Sequence, residues 1–124
     1  MAKILIVDDQ PGVRRLLTET FREDGHEVRQ AANGSEAIGL IGEFAPDLVL
    51  MDMKMPGMNG LETLRQIRAS QSAVAVIMMT AYGDVHNLEQ AKQLGVADYL
   101  SKPFDLFELR RQVEKILRAV PNGR

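Results

Sequence analysis

The chain has 124 residues, 45% of them hydrophobic and 26% charged, with a net charge of -2 at neutral pH and no cysteine. That is enough chain for one hydrophobic core and too little for two ordinary domains. It excludes disulfide scaffolds and thiolate metal centres, argues against a nucleic-acid-binding surface, and leaves no apolar run long enough to span a membrane.

Residues 4–7 are a short apolar run that predicts a first strand, and they end at Asp8 and Asp9. Pro11 suits the first turn of a helix. In that helix Val13, Leu16, Leu17, Thr20 and Phe21 recur at helical spacing, and Gly25 supplies the stop. Residues 27–31 predict a more polar strand, suited to a sheet edge. Asn33-Gly34 reads as a turn, Ala37, Ile38 and Ile41 mark a second helix, and Pro46 ends it. Residues 47–51 predict a third strand that delivers Asp52. Residues 57–60 read as a loop, and Leu61, Leu64 and Ile67 mark a third helix. The continuous apolar run 74–79 predicts a central strand ending at Thr80. Val85, Leu88 and Ala91 give a shorter fourth helix, and residues 96–100 a fifth strand with Lys102 just beyond it. Asp105 and Glu108 form a D-x-x-E capping pattern before Leu109, Val113, Ile116 and Leu117 of a fifth helix. Residues 1–120 are expected to form the domain and 121–124 a disordered tail.

Strict alternation of strands and helices predicts an α/β fold, a parallel sheet covered on both faces with right-handed crossovers. Five strands in the order 2-1-3-4-5 suit this length, and the switch point then falls between strands one and three. Those strands carry Asp8, Asp9 and Asp52 at their ends. Two carboxylates about 6 Å apart repel by roughly 3 kcal/mol at an effective dielectric near 20, so such a cluster calls for a cation. Oxygen ligands alone suit a hard ion, Mg²⁺ or its substitutes Mn²⁺ and Ca²⁺. Lys102 adds a compact positive charge and Thr80 a hydroxyl. Together with a cation they are suited to holding the oxygens of a phosphoryl group in transfer. Asp52, already ionised near neutral pH, is the candidate nucleophile.

On these residues the chain resembles the receiver domain of bacterial two-component response regulators, which has a flavodoxin-like fold. The segments that carry the likeness are ILIVDD at 4–9, DLVLMDMKMPGMNG at 47–60, VIMMTAYG at 76–83 and GVADYLSKPF at 95–104. The resemblance implies that Asp52 is the phosphoacceptor. It implies that Asp9 and Asp52 ligate Mg²⁺ with the backbone carbonyl of Lys54, and that Asp8 acts through a metal-bound water. Lys102 would pair with Asp52 or its phosphate, Thr80 would bond the phosphate, and Tyr99 would be an aromatic switch. Lys102-Pro103 falls where the family has a cis peptide. The implied partners are a histidine kinase and a histidine phosphotransfer protein. They would dock beside the first helix and the loop after strand five, where Gln10, Pro11, Gly12, Arg14, Arg15, Pro103, Phe104 and Phe107 stand.

Within the family, the run Asp8-Asp9-Gln10, Lys54, TAYG at 80–83 and KPFD at 102–105 resemble stand-alone phosphorelay intermediates of sporulation. Those carry histidine where this chain has Tyr99 and tyrosine where it has Pro11. The expected function is therefore that of a stand-alone regulator. It would take a phosphoryl group from phosphohistidine onto Asp52 and pass it on, catalysing its own modification without turning over a small molecule. The alternatives are a phosphorylation-switched binding module and the receiver part of a DNA-binding regulator. A metal-dependent phosphatase or mutase is disfavoured, because Lys54 stands where a second Asp would be needed. The N-terminus shows no secretion signal, so a cytoplasmic monomer, bound to neither nucleic acid nor membrane, is expected. Met51, Met53, Met55, Met58, Met78 and Met79 read as soft core filling. His26 and His86 read as surface or helix-end residues, and Phe107 as partly packed. Lys54 and Tyr82 are expected to line the approach of hydrolytic water.

Overall fold

The computed structural model describes residues 2–70, 72–80 and 85–119. In chain order it runs β1 (Lys3–Val7), α1 (Pro11–Glu23), β2 (Glu27–Ala31), α2 (Gly34–Phe44), β3 (Leu48–Asp52), α3 (Gly60–Ala69), β4 (Ala75–Thr80), α4 (Val85–Gln93), β5 (Asp98–Ser101) and α5 (Leu106–Ala119). Every strand pair is parallel, and the order is β2-β1-β3-β4-β5, as the alternation predicts. Tyr82 and the tail at 121–124 lie outside the described residues, as does the side chain of His86.

Successive strand side chains point to opposite faces, and each face here meets helices. Ile4, Ile6, Leu48, Leu50, Ile77 and Met79 pack with Leu17 and Phe21 of α1 and Leu109 and Val113 of α5. Leu5, Val7, Val49, Met51, Val76 and Met78 pack with Ala37 of α2, Leu61, Leu64 and Ile67 of α3, and Ala91 of α4. Two covered faces explain why the central strands read as continuous apolar runs. Met51, Met53, Met55, Met78 and Met79 are buried, in keeping with core filling. No described helix is long and apolar enough to cross a membrane.

Several local expectations are corrected. Asn33-Gly34 is not a free turn: Asn33 is the N-cap of α2, its side chain accepting from the Glu36 N–H at 2.9 Å, and Gly34 is already helical. Leu16 is 48% exposed although its spacing matches the buried stripe; Leu17, Thr20 and Phe21 are buried as the spacing predicts, with Thr18 beside them. Asp105 caps α5 by accepting from the Phe107 N–H at 2.8 Å, whereas Glu108 lies 3.7 Å from Arg111 rather than completing a box. A reciprocal capping box does exist, but at Asn59 and Glu62 of α3. β3 and β4 run one residue further than predicted, to Asp52 and Thr80, because ladder bonds and not side-chain polarity set a strand's end. β5 starts later, at Asp98, because Val96 still donates to the Ala91 carbonyl at the end of α4.

The far end of the sheet from the acidic residues is tied by Arg68. Its guanidinium donates to the carbonyls of Leu94 (2.7 Å), Ser72 (3.0 Å), Val74 (2.9 Å) and Gly95 (3.2 Å). Burial pulls its pKa below the usual arginine value. The planar fork serves several acceptors that one ammonium cannot span. Arg68→Met is expected to cost about 2 kcal/mol of stability by urea unfolding, with little recovery in Arg68→Lys. Full recovery by lysine would show that charge alone holds these loops.

Candidate functional site

β1 and β3 are neighbours, with Val7 opposite Met51, so Asp8 and Asp52 leave the sheet side by side at the switch point. Asp8, Asp9 and Asp52 each offer a carboxylate oxygen, and these oxygens lie within 4.8 Å of one another. Asp8 is fully buried, Asp52 is 6% exposed, and Asp9 is partly open to solvent. The ε-ammonium of Lys102 lies 3.2 Å from Asp8 Oδ2 and 3.4 Å from Asp52 Oδ2. It thus bridges two carboxylates, where the sequence suggested a single pairing with Asp52. Lys102 follows β5, its N–H donating to the Thr80 carbonyl at 2.7 Å; its bond to Pro103 is cis, as the resemblance implies. Thr80, the last residue of β4, is buried at the same edge.

Burial pushes the Asp52 carboxyl above its ordinary pKa, Lys102 pulls it back down, and Asp8 pushes it up again. Lys54 N–H, 3.4 Å from Asp52 Oδ1, holds it only weakly. Asp8 is gripped more firmly: Oδ1 accepts from the Gln10 N–H at 2.9 Å, and Oδ2 from Lys102. Oxygens within 4.8 Å of one another repel by about 3 kcal/mol per ionised pair at an effective dielectric of roughly 20. Among the described residues Lys102 is the cation that bridges Asp8 and Asp52, and the cluster holds three carboxylates. A hard divalent cation with oxygen ligands fits this donor set. Beside it opens a groove of about 460 Å³ lined by Asp9, Lys54, Met55, Pro56 and Asn59.

The remaining sequence candidates are brought to the same end or beside it. Gln10, Pro11 and Gly12 are exposed at the start of α1, and Pro103 is exposed next to the partly buried Phe104. Arg15 is exposed, 3.5 Å from Glu19 on the same helix. Arg14 is not a free helix charge: its guanidinium donates to the Asp8 carbonyl at 2.6 Å. Phe107, expected to be partly packed, is 68% exposed, because Leu106 and Leu109 occupy the inward face of α5. Tyr99 is 39% exposed, with Lys92 Nζ 5.3 Å from its ring centroid. His26 stands apart from the acids; its Nδ1 accepts from the Ala2 N–H at 3.1 Å, and its Nε2 lies 2.9 Å from Glu114. Asn59 and Gly60 were missed. The Asn59-x-x-Glu62 pattern was visible in the sequence, but the approach of Gly60 to the Asp52 backbone was not.

A doubly wound sheet carrying an acid cluster and a lysine at its switch point defines an α/β domain of the receiver type. The comparisons agree: the response regulator receiver domain family matches residues 4–114, and the chain belongs to it. It is 47% identical over 115 residues to sporulation initiation phosphotransferase F of Bacillus subtilis, covering 93% of each chain. It is 43% identical over 116 residues to the regulatory protein AtoC of Escherichia coli, covering 94% of this chain but 25% of that one. A receiver domain crystal structure from Clostridium thermocellum superposes with a TM-score of 0.89 at 31% identity over 96% of each chain.

Proposed function

We propose that this chain is a phosphorelay receiver that takes a phosphoryl group from a phosphohistidine onto Asp52 and surrenders it to a second histidine. The observation that carries this is the bridging of Asp8 and Asp52 by Lys102 within the three-acid cluster. It is supported by the likeness to a sporulation phosphotransferase across 93% of both chains. In the transfer, an Asp52 oxygen attacks phosphorus, a P–O bond forms, and the P–N bond breaks. The imidazole leaves with its electron pair and a proton restores its neutral form. Lys102 neutralises charge on the phosphoryl oxygens and Thr80 donates its hydroxyl to one of them. Asp9, Asp52 and the Lys54 carbonyl would hold Mg²⁺ directly and Asp8 would do so through water; Mn²⁺ or Ca²⁺ can substitute. When bound, the ion offsets the like charges and the negative charge of the incoming group.

The donor and acceptor would be a histidine kinase and a histidine phosphotransfer protein. They would dock over Gln10, Pro11, Gly12, Arg14, Pro103 and Phe104, with the chain acting as a cytoplasmic monomer. A second reading, a switched binding module, draws on the exposed Tyr99 ring: phosphate at Asp52 would draw Thr80 inward and leave room for that ring. The test mixes the chain, Mg²⁺ and a phosphorylated kinase, then adds a phosphotransfer protein and follows the label. Rapid passage to the added histidine is expected. Long retention on Asp52 with no onward passage would favour the module, and no labelling at all would remove both.

A further inference from the structure

The geometry points to Gly60 as a positioning residue for the Asp52 carboxylate, through a backbone contact that admits no side chain. A Cβ built on Gly60 would lie 2.8 Å from the Met53 Cα and 3.1 Å from the Asp52 carbonyl carbon, and closer still to the Asp52 carbonyl oxygen. Those atoms are backbone and cannot swing aside. Its φ is not in the left-handed region that favours glycine. Conformation therefore does not require glycine here, but space does. The contrast with Gly39 and Gly42 is direct, since a Cβ at either meets nothing within 4 Å.

The contact is clamped from both sides. Gly60 N–H donates to the Met53 carbonyl at 2.8 Å, and Met53 N–H donates to the Met79 carbonyl of β4 at 2.8 Å. The start of α3 is itself fixed by the Asn59–Glu62 box, with bonds of 2.9 and 3.1 Å. The Asp52–Met53 unit is thus held between β4 and the first residue of α3. Among the described residues the Asp52 side chain has longer partners, Lys54 N–H at 3.4 Å and Lys102 at 3.4 Å. Its placement is therefore inherited from the backbone, as is that of the adjoining Lys54 carbonyl. A methyl at position 60 must displace this unit or lift α3 away, and either one shifts ligands the pocket requires.

This inference rests on the proposed function for its meaning, but its test separates the two. Gly60→Ala is compared with Ile67→Ala, which opens a cavity on the same helix about two turns away. Mg²⁺ alone is titrated against amide chemical shifts, the Asp52 carboxyl is titrated by ¹³C NMR, and labelling by acetyl phosphate is timed. In Gly60→Ala, Mg²⁺ affinity and labelling are expected to fall about tenfold or more, with an altered Asp52 titration. Ile67→Ala is expected to keep both within about twofold despite a lower Tm. Equal losses in the two variants, or no change of Mg²⁺ affinity in Gly60→Ala, would overturn the positioning role. Should Gly60→Ala not fold, Asn59→Ala loosens the same helix start without adding atoms. A several-fold loss of Mg²⁺ affinity there supports the role, and an unchanged affinity overturns it. A wild-type chain that binds Mg²⁺ but never labels would defeat the phosphoryl reading, and the Mg²⁺ comparison would still decide the part played by Gly60.

Discussion

Asp52→Asn is expected to lose phosphorylation by more than about a thousandfold and yet to be more stable than the wild type at neutral pH. The loss follows because an amide oxygen cannot form the acyl phosphate, and Asp8 is fully buried and held at both oxygens. The gain follows from electrostatics. Burial holds the folded pKa of Asp52 above its ordinary value of 3.8. In the window between the unfolded and folded values the native state binds more protons than the unfolded chain, so stability declines as pH rises through it. Above the folded value the full penalty persists. Asparagine carries no such penalty, so the gap between variant and wild type should be full at neutral pH and vanish in acid, below the unfolded value. A gain of about 1 kcal/mol is expected without metal, shrinking as Mg²⁺ stabilises the wild type more than the variant. Urea unfolding at two pH values, with and without Mg²⁺, measures it. Equal stabilities at neutral pH without metal would contradict a burial penalty on the Asp52 carboxylate. Labelling is expected to fall in acid, because protonation of Asp52 removes the carboxylate that the proposed transfer uses.

Lys102→Met should have the opposite effect on stability. The ammonium is the only cation bridging Asp8 and Asp52 among the described residues, and Asp8 has no exposure to water. Removing it leaves a buried carboxylate without its counter-charge, which costs about 3 kcal/mol. Labelling by a small phosphodonor should drop by about a hundredfold, the scale of losing one charge-stabilising donor. Mg²⁺ should bind more tightly than in the wild type, because a competing cation has left the carboxylates. Stability and metal affinity therefore move in opposite directions, which a general packing defect does not produce. Weaker Mg²⁺ binding in a folded Lys102→Met would show that the lysine positions the acids rather than competing for them. A phosphorylation rate within a few-fold of wild type would remove Lys102 from the transfer chemistry.

Much of this was legible in the chain. Strand β2 matches its predicted bounds, and the sheet order follows from alternation and length. Asp8, Asp9, Asp52, Thr80 and Lys102 were singled out because each closes or follows an apolar run, and in a parallel sheet those ends share one edge. Periodicity failed where two residues compete for one face: Leu16 and Leu17 both satisfy helical spacing, and only the angle at which α1 lies on the sheet decides that Leu17 goes inside. Phe107 escaped for the same reason on α5. Asn33-Gly34 was misread because Asn favours both turns and helix caps, and only the following helix selects between them.

The sequence by itself determined the α/β class, the parallel five-stranded order, and which polar residues gather at the carboxyl edge, because period and strand ends are properties of a few neighbouring residues. The tertiary structure alone decided that Lys102 spans two acids rather than one, that Arg14 is tied to the Asp8 carbonyl, and that Gly60 leaves no room beside Asp52. Lys102 meets Asp8 across 94 residues of chain, whereas Arg14 and Gly60 meet near neighbours; all three depend on how the turns and helices seat against the sheet edge, which hydrophobic periodicity does not encode.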